Sequence, residues 1–361
     1  MERFMKEYSI RALVYHLTRE NIDKGLKHLE AIATRLASLR DEIKDQLRVL
    51  STRAVFPPIR ELDRKTLGLA KALRENGIDF VAVPLGYVSH EFTLNLLESD
   101  DGFFTSIPYA ESKEEEIIRI LRDIPERINW VATSRFGISF GKRNLTPYFP
   151  VTESSRGGVS VGLLYVNHIR KNVKKGGGIR SSVMSAVKDV IGTIKQALKN
   201  TEWDGVQVGV DASLSPWMEE SVALLIEDIT GLTFGLPGTF SKIQEINSEL
   251  HALKKDLDLV GYNEVMISLA EDNRLKELAR LNSLKFKDLL YLTMSCVAGL
   301  DMVYIPSSTD NRVVKGIFKD LETIRRLKGR SLGMRIGLVS VEPGEEIPLG
   351  RFGNVPVIDV E

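Results

Sequence analysis

Short β-rich apolar runs alternate with longer runs of helical periodicity along nearly all 361 residues of this chain. Such repetition requires parallel strands with helices packed outside them, because a strand can meet the next parallel strand only through a crossover. Tyr8 to Leu17 reads as a strand and Ile22 to Leu47 as an amphipathic helix, with Leu26, Leu29, Ile32, Ala33, Leu36, Leu39 and Ile43 at steps of three and four. Val49–Phe56 is a second strand, stopped by Pro57-Pro58, and a helix then runs from an Asp63 cap to Gly77. The same reading gives strands at Ile78–Val83, Asn129–Ile138, Val159–Val166, Val206–Val210, Val265–Leu269, Asp301–Ile305, Met334–Val341 and Val355–Val360. Helices are expected between most of them, among them Lys113–Arg127, Ser182–Leu198 and Phe240–Asp256. The expected class is α/β, as one compact domain over residues 1–361, with flexible loops near 152–158 and 174–181.

Composition narrows the function classes. Lys and Arg total 49 and Asp and Glu 49, which argues against a broadly nucleic-acid-binding or membrane-surface protein. Cys296 is the single cysteine, so neither an internal disulfide nor a Cys-rich zinc site can form, and no histidine has a neighbour at metal-ligand spacing. No zinc site is expected, and the residues point to no particular cofactor. Residues 1–7 hold no apolar stretch of the secretory kind, and no run approaches the roughly 20 residues of a membrane span. A cytoplasmic location is expected, and abundant Lys, Arg and Glu with scarce Gln lean towards a heat-loving source.

In parallel α/β folds ligands sit beyond the carboxyl ends of the strands, where loops and helix N-termini converge. Asp211 and Ser213 follow one apolar run, Glu271 and Asp272 another; Arg135, Asn167 and Ser106 stand in or after three more. Asp211 and Ser213 either cap the next helix or face a ligand. Glu271 and Asp272 either serve a helix dipole, divide acid and base roles, or hold a divalent cation through oxygen ligands. Cys296, after an apolar helix, is either an inert buried residue or a nucleophile. Gly176-Gly177-Gly178 before Arg180 is either an anion cradle or a surface loop.

Several stretches together carry a family resemblance. Ser295-Cys296-Val297-Ala298-Gly299-Leu300-Asp301-Met302-Val303-Tyr304-Ile305-Pro306 resembles the C-S-V-G-L-D-M-[IV]-x-I-P stretch of uncharacterised protein family 0210, also called domain of unknown function 711. Val210–Pro216, Gly235–Thr239, Ile267–Asp272, Ser106–Pro108 and Leu349–Val357 are similar to further stretches of that family in the same order. The resemblance implies a ten-stranded α/β barrel like that of glycyl-radical enzymes, helices outside, with a cysteine-bearing loop reaching inside. Arg351-Phe352-Gly353-Asn354-Val355 does not reproduce the radical motif R-V-[AS]-G-[YF], so non-radical chemistry is expected. The family's G-T-H-G-T histidine is Pro237 here.

The expectation is an enzyme acting on a small polar or anionic metabolite in a pocket at the barrel mouth. Cys296, Asp211, Glu271 and Asp272 are its candidate catalytic residues, and Ser213, Arg135, Ser106, Asn167, Asp301 and Arg335 its candidate ligand contacts. The alternative is a non-catalytic sensor or carrier using the same pocket. A small-molecule ligand and a second copy of the chain are the expected partners, with neither nucleic acid nor membrane.

Overall fold

The structure, a computed structural model, describes residues 6–60, 63–296 and 298–360. The first five residues, read above for a leader, and Val297 of the cysteine stretch lie outside the described residues.

Nine strands form one sheet: β1 (Ser9–His16), β2 (Thr52–Val55), β3 (Phe80–Ala82), β4 (Phe103–Pro108), β5 (Phe136–Phe140), β6 (Gly158–Leu164), β7 (Val208–Asp211), β8 (Leu300–Pro306) and β9 (Leu332–Val339). Their order is β7-β6-β1-β2-β3-β4-β5-β9-β8. β1 to β5 are mutually parallel; β6 and β7 on one flank, and β9 and β8 on the other, run the opposite way.

The expected ten-stranded barrel is not what the sheet shows, because the ladder ends at β7 and β8. The predicted strand Val265–Leu269 makes no continuous ladder. Residues 258–269 instead touch both outer strands at single points: Leu259 with Val210 and Val265 with Leu214 on one side, Ser268 with Asp301 on the other.

Two other predicted strands also differ. Within Asn129–Ile138, Asn129 accepts a hydrogen bond from the Ala132 N–H and caps a helix over Trp130–Thr133, so β5 starts only at Phe136. Near the end, β10 (Glu346–Pro348) and β11 (Asn354–Pro356) pair as a separate hairpin. The first helix is split by Gly25, at φ 81°, and its main part is Leu26–Ile43.

Alternation along the strands separates two faces. Ile10, Leu13, Tyr15, Ala54 and Phe56 point outwards into one large core shared with helix residues such as Leu29, Leu36, Leu69, Leu73 and Val187. Ala12, Val14, Val55, Ala82 and Phe104 point inwards, where Phe149 packs on them. Each outer leucine contributes roughly 1.5–3 kcal/mol by leaving water, which commits the helices to that side.

The segment after β5, around Tyr148–Val151, reaches the inner face; the segment carrying Cys296 also reaches it, through Ala298, while Cys296 itself stays in the outer core. Parts of the two loops read as flexible are hydrogen-bonded to the rest of the fold. Thr152 and Ser154 are buried, and the Ser154 N–H donates to the Phe56 carbonyl. Gly178 directly precedes the helix Ile179–Leu198, whose Arg180 N–H donates to Glu249 while its guanidinium meets Asp256. Glu249 thus occupies one of the N–H groups that the anion-cradle alternative needs.

Candidate functional site

The inner face encloses a cavity of about 60 Å³. Its wall is aromatic (Phe104, Tyr148, Phe149, Tyr262), and four arginines line it: Arg11, Arg53, Arg335 and Arg351. Only two carboxylates, Glu271 and Asp301, line it with them.

Strand irregularities aim two of these groups. In β1 the register with β6 slips between Ile10 and Ala12, so Arg11 is an extra residue and shares the inner side with Ala12. In β8 the register with β9 slips between Asp301 and Val303; Met302, at φ 51°, is the extra residue, and Asp301 faces the cavity. Bulges commonly re-aim side chains in this way. Arg53 needs no bulge, since it alternates with outward Ala54 and Phe56. Arg351 arrives from the turn Gly350–Phe352 between β10 and β11.

Two arginines are neutralised within the wall. Arg11 Nη2 donates to Glu271 Oε2 at 2.8 Å, and its Nη1 donates to Ser215 Oγ and the Pro216 carbonyl, both at 2.7 Å. Arg335 grips Asp301 with two nitrogens, the Nη2–Oδ2 bond measuring 2.6 Å, and its Nη2 also stands 3.5 Å from Glu271 Oε1. Burial pushes the Glu271 carboxyl up, but Arg11 and Arg335 outweigh it and hold the group below the usual carboxylate range. Asp301 is pushed up by burial, against the pull of the Arg335 fork.

The other two arginines have no carboxylate partner among the described residues. Buried Arg53 donates to Ser51 Oγ at 3.0 Å and to the Pro147 carbonyl at 3.3 Å, and among the described residues it makes no ion pair. Its guanidinium lies 5.0 Å from the Phe149 ring centre and 5.5 Å from that of Phe80. Burial, then the like charges of Arg11 and Arg351, push its pKa down to about 9. Arg351 lies on the other ring contacts of the same group, 4.9 Å from Phe80, 5.4 Å from Trp217 and 5.0 Å from Phe352. Aromatic faces offset part of an unpaired cation's cost, but do not neutralise it.

Of the ten residues singled out from sequence, Glu271, Asp301 and Arg335 come together here. Asp211 and Cys296 do not line the cavity; each holds its wall from behind. The Asp211 carboxylate accepts from Ser213 N and Oγ, Thr146 Oγ1, Tyr262 N and Asn263 N. Gly261, at φ +71°, lies so close that a Cβ there would overlap that carboxylate. Ser213 is thus a partner of Asp211, and its oxygen also accepts from Glu264 N.

Cys296 is 1% exposed within the apolar core, and its sulfur accepts from the Ile267 N–H at 3.1 Å. Burial pushes the thiol pKa up. A protonated thiol behind the wall is not the setting of a nucleophile, which needs a depressed pKa and access.

Asp272 accepts from the Arg274 and Ala223 N–H groups and caps the helix Asn273–Arg280, the structural alternative open for it from sequence. Arg135 donates to the carbonyls of Leu97, Asp100 and Phe103. Ser106 is buried in β4 but does not line the cavity, and Asn167 is exposed near the start of the helix Val166–Lys174. Among the described residues no three His, Cys, Asp or Glu side chains gather as metal ligands, and no helix is long and apolar enough to cross a membrane.

Arg11 and Arg53 lie inside strands and Arg351 in a hairpin turn, not after the parallel strands from whose carboxyl ends most candidate residues are read. Their signal was present: an arginine inside an apolar strand, as in Ile10-Arg11-Ala12-Leu13-Val14 or Thr52-Arg53-Ala54-Val55, must be buried with something to bind.

A family model described as uncharacterised ACR (DUF711) matches residues 112–348. Among curated proteins, a UPF0210 protein of Methanopyrus kandleri is 25% identical over 91% of this chain and 84% of its own length. One from Sulfurisphaera tokodaii is 24% identical over 95% of this chain and 86% of its own length. One from Halothermothrix orenii is 23% identical over 81% and 73% respectively. None of these names states a reaction.

Proposed function

The chain belongs to the DUF711 family, and from that premise we propose that it binds a small anionic metabolite in the cavity on the inner face of its sheet. One observation carries this reading: buried Arg53 faces the cavity with no carboxylate partner, beside three further guanidiniums. A buried cation without a counter-charge is costly, and an anion in the cavity relieves it. Residues 258–269, which touch both outer strands, act in this proposal as a tenth wall element that closes the sheet around the ligand.

The ion pairs favour the sensor or carrier role over the enzymatic one. Glu271 and Asp301 are both engaged by arginines, and Cys296 stands behind the wall. One feature supports chemistry instead: Glu271 is shared between Arg11 and Arg335, so an anion competing for Arg11 loosens the carboxylate and makes it a better base.

A panel of small anions and matched neutral compounds, screened by thermal unfolding, tests the binding reading. It predicts a concentration-dependent rise in melting temperature for anions only. No rise with any anion overturns it.

A further inference from the structure

We infer that the occupant of this cavity is a tetrahedral dianion, a phosphoryl group either free or at the end of a monoester, clamped between Arg53 and Arg351. The inference rests on the anion-binding reading and adds charge, size and shape.

Charge comes from the wall itself. Arg11 is matched by Glu271 and Arg335 by Asp301, which leaves Arg53 and Arg351 as two uncompensated cations. A dianion balances them, whereas a single carboxylate leaves one positive charge in an aromatic-lined, poorly solvated space.

Size comes from the cavity. Its volume of about 60 Å³ compares with the roughly 10–15 Å³ that one water needs, so a group of phosphoryl size fits inside it.

Shape comes from the donors. Both uncompensated cations are arginines, whose planar forks bind phosphoryl oxygens in pairs. Both also lie near Phe80, at 5.5 and 4.9 Å from its centre, which puts the two guanidiniums in one neighbourhood where an anion can engage them together. The Arg351 guanidinium packs on the Phe80, Trp217 and Phe352 rings and makes no ion pair or hydrogen bond among the described residues, so its N–H groups are left for an anion.

The test is isothermal titration of the full chain with sulfate, perchlorate, acetate, inorganic phosphate and methyl phosphate at fixed ionic strength. Sulfate and perchlorate share a shape and differ in charge. Sulfate and phosphate are expected to bind at least about tenfold more tightly than perchlorate or acetate, the weight of one charge-assisted contact. Tighter binding of inorganic phosphate or of methyl phosphate supports the inference and identifies the source. Arg351→Ala, its folding checked by the unfolding midpoint because the side chain packs on three rings, is expected to weaken phosphate by about tenfold or more. Acetate or perchlorate binding as tightly as phosphate overturns the dianion but leaves the anion-binding reading standing, and an unchanged phosphate affinity in Arg351→Ala overturns the clamp. Failure of every anion to bind overturns the anion-binding reading as well.

Discussion

Arg11 and Glu271, 260 residues apart in sequence, meet through a hydrogen bond of 2.8 Å inside the sheet. It fastens the first strand to the end of the segment that touches the two outer strands, so this ion pair ties two distant parts of the cavity wall together. We predict that Glu271→Ala costs about 3–5 kcal/mol, because it leaves Arg11 buried and unpaired. Urea unfolding checks this. The folded pKa of Glu271 lies below its unfolded value, so its contribution is fully present above the unfolded pKa of about 4.3 and is lost as pH falls through the folded pKa.

Arg53 is predicted to behave in the opposite way. Arg53→Met removes an unpaired buried charge and keeps most of the volume, so the unliganded protein should be as stable as the parent or gain about 1–2 kcal/mol, while anion binding is lost. Denaturant midpoints and titration of the same sample check both halves. A large loss of stability would mean that Arg53 is a structural residue.

How much of this was legible in the sequence depends on what each signal encodes. Period and caps are local, so the α/β alternation, the Asp63 cap and the helices over 114–127 and 311–328 could be read from neighbouring residues. Asn129 misled because an apolar run after it reads as a strand until its side chain is seen to cap a helical turn. Val265–Leu269 has strand composition, yet its partners, Leu214 just after β7 and Asp301 in β8, belong to opposite ends of the sheet order, which no local pattern reports. The carboxylates and Arg335 were found because they follow or occupy apolar runs, whereas Arg11 and Arg53 were hidden inside them.

Cys296 was the most conspicuous residue in the sequence, and the structure gives it a packing role. Cys296→Ala is predicted to cost about 1–2 kcal/mol and to leave anion affinity unchanged. The native thiol should react with iodoacetamide at pH 8 far more slowly than the urea-unfolded chain, since burial keeps it protonated and covered. Equal labelling rates would place the sulfur in an accessible site.

His16 supplies a pH signature. Its Nε2 lies 2.7 Å from Ser160 Oγ in a fully buried position, and burial, then Arg156, lowers its pKa to about 3. Between that value and the ordinary value near 6.5 only the unfolded chain takes up the proton. Stability should therefore fall as pH drops below about 6.5, with this residue's share approaching about 1.4 kcal/mol per pH unit. Comparing His16→Gln with the parent by urea unfolding from pH 7.5 to 5 measures that share, and identical slopes would contradict it.

The anion site itself is tested most directly by a crystal structure of the full chain soaked in selenate, a tetrahedral dianion with an anomalous signal. The account predicts an anomalous peak inside the cavity, within hydrogen-bonding reach of both Arg53 and Arg351. An empty cavity, with selenate only on surface lysines, would contradict it.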